Sequence, residues 1–197
     1  MKPGRLLSAR LHRHTGDPAQ LDWGRRAMDW LERVLVRADG FVHDGINRQR
    51  DHAIDEQWRF TYNQGLYIGA CVELAGALGD DDYLRRATRT ARTALAELTA
   101  DGVFAHEGGG GDEGLFKGVF YRYARLLVDA ADVPDLRDFM LASTERLWRS
   151  CARDGTILAG PVWTRAVDGK VPLSAQLSAV MATEACAALV SSPVAPA

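Results

Sequence analysis

Three hydrogen-bonding side chains stand together in the stretch "RFTYNQGLYIGACVEL", residues 59–74. Tyr62, Asn63 and Gln64 precede an apolar run whose composition is typical of a buried helix. At a helix start they could present a phenol and two amides to a cavity, and such groups suit sugar hydroxyls, which both donate and accept. We therefore predict that they bind carbohydrate. The alternative is that Thr61 or Asn63 caps the helix and Tyr62 only packs.

A second polar pair lies in "GLFKGVFYRY", residues 114–123, where Lys117 and Arg122 stand among aromatic residues. A cation at the start of an inward-facing helix could also bind a sugar. A buried ion pair with Asp112 or Glu113 would explain Lys117 equally well, so both interpretations stay open.

Carboxylates for glycoside cleavage are available in the long segments before these helices. The usual reaction needs two carboxyl groups, about 5 to 5.5 Å apart for retention of configuration and about 6.5 to 9.5 Å for inversion. The candidates are Asp44, Asp55, Glu56, Glu107, Asp112 and Glu113. The triplet 80–82, Asp-Asp-Asp, is instead predicted to have turn and helix-capping roles.

Other kinds of chemistry find less support. The five histidines show no recognisable metal-ligand spacing, and no Ser-His-Asp or Cys-His arrangement is indicated, so no metal and no cofactor are predicted. Among the tryptophans, Trp58 and Trp163 lie in long loops and could stack on sugars. Trp23, Trp30 and Trp148 fall on outer helices and are predicted to pack.

The charge balance argues against two classes of partner. Lysine and arginine number 24 against 26 for aspartate and glutamate, so nothing favours nucleic acid or an anionic membrane surface. No uninterrupted apolar run approaches the roughly 18 residues of a membrane span, and the first residues lack a signal-peptide core, so a cytoplasmic protein is predicted on the condition that Met1 is the true beginning of the chain. Cys71, Cys151 and Cys186 are odd in number and far apart, which indicates core thiols.

Internal repeats predict the architecture that positions these residues. "TGDPAQLDWGRRA" is echoed by "LGDDDYLRRA" and "ADVPDLRDF", and "ADGFVHDG" by "ADGVFAHE" and "RDGTILAG". The repeat of roughly 52 to 63 residues is typical of stacked helical hairpins. Apolar residues spaced by three and four alternate with Gly- and Ala-rich segments at 62–78, 115–130 and 174–190, which predicts outer and inner helices respectively. Long loops precede the inner helices and would gather on one face.

The stretch from "TYNQGLYIGACVELAGALGDDDYLRRA" through "DGVF" to "GLFKGVFYRYARLL" resembles the C-terminal half of family 76 glycoside hydrolases, the endo-α-1,6-mannanase-like proteins. The resemblance runs from about residue 6 to residue 190. It implies an all-α toroid of six helical hairpins around a sugar cleft, of which this chain would supply about seven helices. It also has an Asp-Gly at the loop of Asp44, in "HDGI", so Asp44 is predicted to accept a substrate hydroxyl; an Asp-Gly turn is the alternative.

The resemblance places the catalytic pair of adjacent aspartates upstream of anything in this sequence. We therefore predict one domain over residues 1–190 with a flexible tail at 191–197. The chain would bind or act on an oligosaccharide or polysaccharide of the α-mannan type, with the catalytic pair absent. A non-catalytic hairpin protein that binds carbohydrate or self-associates through its exposed end hairpins is the alternative. A sugar epimerase or an unsaturated glucuronyl hydrolase is a third.

Overall fold

Helices dominate the computed structural model, which describes residues 4–108, 110–153 and 155–191. Seven α-helices lie within these residues: α1 (Gly4–Thr15), α2 (Pro18–Val34), α3 (Thr61–Leu78), α4 (Asp82–Leu98), α5 (Phe116–Ala130), α6 (Pro134–Cys151) and α7 (Leu173–Ser191). A 3-10 helix, Gly111–Leu115, leads directly into α5. The short strands are β1 (Thr99–Ala100), β2 (Val103–Phe104), β3 (Ala152–Arg153) and β4 (Thr156–Ile157).

The helices form two layers. Helix α3 packs against α1 and α5, and α5 packs against α7, so these four make the inner layer. Helices α2, α4 and α6 join them in sequence and form the outer layer. The prediction of about seven helices that alternate between outer and inner positions is confirmed for the described residues. The inner helices α3, α5 and α7 begin within a residue of the predicted positions.

The two layers differ because their helices are buried differently. Helix α3 is apolar around most of its circumference, and its buried residues run from Thr61 to Ala75. Helix α4 buries one stripe, in which Ala87, Ala91 and Ala94 recur at intervals of three and four, and it shows charged residues to solvent. Burial on several sides suits an inner helix, and a single apolar stripe suits an outer one.

Two glycines let the inner helices approach closely. A Cβ atom added to Gly65 of α3 would lie 2.6 Å from the Cα atom of Phe120 in α5. One added to Gly118 of α5 would lie 2.8 Å from the Cα atom of Ser178 in α7, and Gly118 N donates to Ser178 Oγ at 2.6 Å. Since backbone cannot yield as a flexible side chain can, only glycine fits these positions without a shift of the helices.

The turns between inner and outer helices use the predicted capping chemistry. Asp17 caps α2 by accepting from Ala19 N at 2.9 Å, and Pro18 occupies the first helical position. Asp80 accepts from the backbone of Asp82 at 3.0 Å. Asp82 forms ion pairs with Arg85 and Arg86 on the surface of α4. The turn role predicted for residues 80–82 is therefore confirmed.

The strands form two minimal antiparallel hairpins, β1 with β2 and β3 with β4. In the first, Asp101 and Gly102 both have positive φ angles, 53° and 74°, as a two-residue hairpin turn requires. The Asp-Gly pair at residues 101–102 therefore marks the tip of a minor hairpin.

The sequence predicts core positions for the cysteines and packing roles for the tryptophans of the outer helices. The three cysteines are free and buried, as predicted. The packing role predicted for Trp23, Trp30 and Trp148 is wrong within this chain, because these side chains are 62%, 42% and 49% exposed. Trp23 and Trp30 lie on α2, whereas Trp148 lies on α6 and donates from Nε1 to Thr183 Oγ1 of α7 at 3.2 Å.

Helix α7 departs from the expectation that no segment could span a membrane. It is long and apolar enough to do so by length and composition, and only 39% of its most apolar window is buried. It packs as an inner helix against α5 and α6. Of the predicted C-terminal tail, residues 192–197 lie outside the described residues.

Candidate functional site

The start of α3 is joined to the loop before it by a buried amide. Gln64 Oε1 accepts from Val42 N at 2.9 Å, and Gln64 Nε2 donates to Val42 O at 2.8 Å, so one side chain satisfies both backbone groups of one residue. Asn63 Nδ2 donates to the same carbonyl at 2.6 Å. Asn63 and Gln64 have no exposed surface. They hold the 41–45 loop against the helix start.

The same loop places the buried carboxylate of Asp44 next to Tyr62 and Arg48, whose side chains are more exposed than that of Asp44. Its carboxylate accepts from the hydroxyl of Tyr62 through one oxygen and from the guanidinium of Arg48 through the other. Asp44 is only 2% exposed, whereas the side chain of Arg48 is 48% exposed. Both carboxylate oxygens are thus engaged, and Asp44 fixes the positions of Tyr62 and Arg48.

Burial and the bond to Asp44 raise the pKa of the Tyr62 phenol far above its usual value. The hydroxyl therefore stays protonated and serves as a donor to the carboxylate. The Tyr62 residue is half-buried, so part of it remains accessible to solvent.

Four half-buried aromatic side chains make a continuous surface here, which we call the aromatic strip: Trp58, Phe60, Tyr62 and Phe116. The ring centroids of Trp58 and Phe60 are 5.9 Å apart, those of Phe60 and Phe116 5.0 Å, and those of Tyr62 and Phe116 4.3 Å. The strip combines the loop before α3 with the first residues of α3 and α5. Aromatic faces of this kind suit the apolar C–H faces of pyranose rings.

The first turn of α3 is capped from a different hairpin. Phe60, the N-cap residue, offers no side-chain hydrogen bond. Instead Glu107, in the loop after β2, accepts from the backbone N–H of Thr61 and from Thr61 Oγ1, the latter at 2.7 Å. A carboxylate at a helix N-terminus is favoured by the helix dipole. The two loops that precede α3 and α5 are therefore both tied to the start of α3.

Burial acts in opposite directions on Glu107 and on its neighbour Lys117. It raises the pKa of the Glu107 carboxyl, although the bonds from Thr61 and the nearby Lys117 charge oppose the shift. Burial also lowers the pKa of the Lys117 ammonium, against the attraction of Glu107. Each charge thus partly compensates for the other in a site from which water is largely excluded.

Lys117 is bonded to the third long loop. It is 5% exposed, donates from Nζ to Pro161 O at 2.7 Å, and lies 5.5 Å from the ring centroid of Trp163. Neither of the carboxylates considered from the sequence, Asp112 and Glu113, bonds to it among the described residues. Lys117 therefore anchors the loop before α7.

Arg122 and Trp163 make their aromatic contacts with residues outside the aromatic strip. Arg122 is exposed on α5 and its guanidinium packs over the ring of Tyr123 at 5.7 Å, away from the helix start. Trp163 is 1% exposed and packs on Tyr121 at 5.4 Å, so the expectation that it could stack on sugars is wrong. A direct role in substrate binding for the six predicted residues, Asp44, Tyr62, Asn63, Gln64, Lys117 and Arg122, stays a prediction.

Sequence reasoning passed over Arg48, Phe60 and Phe116, and it considered Glu107 only as one of six carboxylates. The two phenylalanines could have been found, since each stands where an inner helix begins, in "RFTYNQG" and "GLFKG". Arg48 gave no such signal because it lies in an irregular loop, and its proximity to Asp44 and Trp58 depends on the fold of that loop.

Two cavities in the described part of the chain lie away from the aromatic strip. One cavity of about 720 Å³ lies along α6, lined by residues such as Asp138 and Arg146. Another, of about 640 Å³, is lined by Arg13, Glu73 and Asp81, near the opposite ends of the inner helices. Neither includes a predicted site residue. Within the described residues, no group of three or more His, Cys, Asp or Glu side chains could hold a metal ion.

Comparisons with known proteins agree with this architecture. The model of Glycosyl hydrolase family 76 matches residues 5–196. Among solved structures, the Lin0763 protein of Listeria innocua is 46% identical and superposes with a TM-score of 0.91, over 94% of this chain and 53% of its own.

Two further relatives carry named activities. An inactive variant of the α-1,6-mannanase GH76A of Salegentibacter sp. HEL1_6, with two consecutive aspartates replaced, was solved in complex with α-1,6-mannotetrose. It is 39% identical, with a TM-score of 0.85 over 92% of this chain and 56% of its own. The mannan endo-1,6-alpha-mannosidase DCW1 of Saccharomyces cerevisiae is 28% identical over 88% of this chain and 41% of its own length. This chain thus spans about half the length of these relatives.

Proposed function

Because the chain belongs to glycosyl hydrolase family 76, we propose that it holds an α-1,6-mannan chain along the aromatic strip and so takes part in the hydrolysis of that polysaccharide. Two of the relatives described above, the Salegentibacter mannanase and the yeast mannosidase, are named for activity on this class of polysaccharide, and a variant of the first is bound to an oligosaccharide of it. The observation that carries the proposal is the strip itself, with Tyr62 fixed by Asp44 at the start of α3.

The buried polar groups and the half-buried rings have separate roles in this arrangement. Gln64, Glu107 and Lys117 each tie a long loop to an inner helix start. The rings of the strip are thereby fixed before a ligand arrives, and a fixed surface loses little conformational freedom on binding. A mannose ring lying on Tyr62 or Phe116 would cover its apolar face, while its hydroxyls remain free for polar neighbours.

The catalytic carboxylates are proposed to come from outside this chain. Hydrolysis needs one carboxyl group as acid and a second as base or nucleophile, both reaching the scissile bond. Asp44, which accepts from Tyr62, and Glu107, which accepts from Thr61, are both bonded to the protein's own groups. In the Salegentibacter relative, the replaced aspartate pair accompanies loss of activity, and this chain spans 56% of that protein.

The test separates binding from cleavage. Purified chain should bind α-1,6-mannotetraose in isothermal titration calorimetry yet release no reducing ends from α-1,6-mannan. A polypeptide extended by the coding sequence upstream of Met1 should release them. Cleavage by the 197-residue chain alone would refute the assignment of the catalytic pair to another segment, and absence of binding would refute the mannan proposal.

A pair of tryptophan variants tests where the sugar binds. Trp58→Ala removes one ring of the strip and should weaken mannotetraose binding by about fivefold to tenfold, on the order of 1 kcal/mol for a lost stacking contact. Trp23→Ala removes a tryptophan that is 62% exposed on α2, away from the strip, and should leave the affinity unchanged. Equal effects of the two changes would contradict binding at the strip.

Self-association is the second candidate, and the surface of α7 favours it. Leu173 and Val190 are 73% and 69% exposed, and Leu177 and Val180 are 42% and 45% exposed. Apolar faces of this extent usually mark an interaction surface. Sedimentation velocity over a concentration series should then show reversible dimers or larger species, whereas a monomer at all concentrations would count against this candidate.

A further inference from the structure

We infer that Arg48 is a sugar-contacting residue that donates hydrogen bonds from its guanidinium to mannose hydroxyls at the edge of the aromatic strip. The inference rests on the proposed mannan-binding function and adds to it a residue that no sequence pattern indicated. It depends on three features of the loop: how the guanidinium is held, what remains free on it, and what it adjoins.

The guanidinium of Arg48 is held from two sides although its side chain is 48% exposed. It donates through Nη2 to the buried carboxylate of Asp44, and its Cζ atom lies 4.8 Å from the ring centroid of Trp58. A cation over an aromatic face and a carboxylate at its edge are both favourable, and together they restrict its rotamers. An exposed arginine of this kind is preorganised for binding, unlike a freely moving one.

The backbone that carries Arg48 is fixed as well. Its own N–H donates to the buried Asp55 Oδ1 at 3.3 Å. The loop around it is closed by a bridge between Ile46 and Ile54, and Asn47, immediately before it, takes the left-handed conformation with φ of 64°. Few backbone conformations satisfy all of these constraints, so the loop has little freedom to move the guanidinium away.

Asp44 is engaged by the protein's own groups, whereas Arg48 keeps donors that a ligand could use. Both oxygens of the Asp44 carboxylate are occupied, and the residue is 2% exposed. The Nε and Nη1 donors of Arg48 have no partner among the described residues. A guanidinium presents N–H groups in a planar fork, which can donate to two neighbouring hydroxyl oxygens of one sugar ring.

The residues next to Arg48 indicate which class of ligand it would bind. Trp58 belongs to the aromatic strip and touches Phe60, while Asp44 links Arg48 to Tyr62. The cation therefore adjoins the strip at the Trp58 end. A pyranose whose C–H face lies on the rings would bring its ring-edge hydroxyls toward the Arg48 guanidinium. A wholly apolar ligand would form no hydrogen bond with this group.

The test measures binding of α-1,6-mannotetraose to the full chain and to three variants. Arg48→Gln should weaken binding by about tenfold, as expected for hydrogen bonds from a charged donor. Arg48→Lys keeps the charge and the pair with Asp44 but loses the fork, so it should recover only part of the affinity. Arg50→Gln, two residues away in the same exposed loop, is the matched control and should bind as the wild type does.

A direct readout excludes an indirect structural effect. The arginine Nε–H resonance that Arg48→Gln removes from the ¹H–¹⁵N spectrum should shift when mannotetraose is added to the wild-type chain. Wild-type affinity in Arg48→Gln or Arg48→Lys, or an unmoved Arg48 resonance at saturation, would overturn this inference and leave the proposed function standing. Failure of the wild-type chain to bind mannotetraose would overturn both.

Discussion

At the start of α3, Gln64 bonds to the loop that precedes the helix. Its amide pairs with both backbone groups of the buried Val42. Gln64→Ala should therefore leave a buried donor and a buried acceptor without this partner, and it should lower the free energy of unfolding by about 2 to 4 kcal/mol. Urea unfolding followed by circular dichroism measures the change.

The exposed Gln57, in the same long loop, is the control for that change. Gln57→Ala should alter the free energy of unfolding by less than about 0.5 kcal/mol. If Gln64→Ala were as mild as Gln57→Ala, the pairing with Val42 would not be what holds this loop, and the positions assigned to Asp44 and Arg48 would lose their support.

The raised pKa of Glu107 predicts how the free energy of unfolding depends on pH. Its pKa is raised in the folded protein from the ordinary value of 4.5, so the folded state holds the proton more tightly than the unfolded state does. Its contribution to stability is complete below about pH 4.5 and is lost as the pH rises through the raised pKa. Glu107→Gln removes this titration. Between about pH 4.5 and 7, the wild-type free energy of unfolding should fall relative to that of Glu107→Gln.

Equilibrium unfolding of both proteins at several pH values in this range gives the difference directly, and titrating groups that do not interact with Glu107 cancel between them. Lys117 does not produce the same change in stability. Because its pKa is lowered in the folded protein, the folded state binds this proton less tightly than the unfolded state, so Lys117 contributes stability as the pH rises. A constant difference between wild type and Glu107→Gln would contradict the burial argument for Glu107.

Helix α3 carries two glycines for which the structure predicts opposite effects of the same substitution. Gly65→Ala would force a Cβ atom to within 2.6 Å of the α5 backbone, so it should destabilise the fold by about 1 to 3 kcal/mol. Gly76 is exposed in the same helix with nothing within 4 Å of an added Cβ atom, so Gly76→Ala should stabilise it by about 0.5 to 1 kcal/mol. Thermal unfolding of the two variants compares them, and equal signs would refute the close contact of α3 with α5.

The elements were predictable because their signals are local and repeated. Apolar spacing, the Asp-Gly hairpin tips and the capping residues before α2 and α4 all follow from a few neighbouring positions. The site was predictable only as a region. That Asn63, Gln64 and Lys117 are buried depends on loops that are distant in sequence and fold over them, and Glu107 reaches Thr61 across 46 positions. No local pattern records such contacts.

At the scale of the whole molecule, the four inner helices leave two edges. One edge is α7, with its apolar residues open, and the other is α1, where Leu7 and Leu11 are 55% and 37% exposed. Since this chain superposes on about half of a relative's fold, the rest of that fold would contact edges of this kind. The two edges thus account both for the proposed need for further helices and for the tendency to self-associate.

The α7 edge gives the last prediction. Leu177→Glu and Val180→Glu together place two charges on the exposed face of α7. Because both positions are more than 40% exposed, the fold should lose less than about 1 kcal/mol of stability, but any association through this face should be abolished. Sedimentation velocity would show the species of higher mass disappearing for this variant and persisting for a matched variant on α2, Arg25→Glu. If the species of higher mass persisted in both variants, the association would involve another surface. The α1 edge would then be tested next, with Leu11→Glu as the corresponding change.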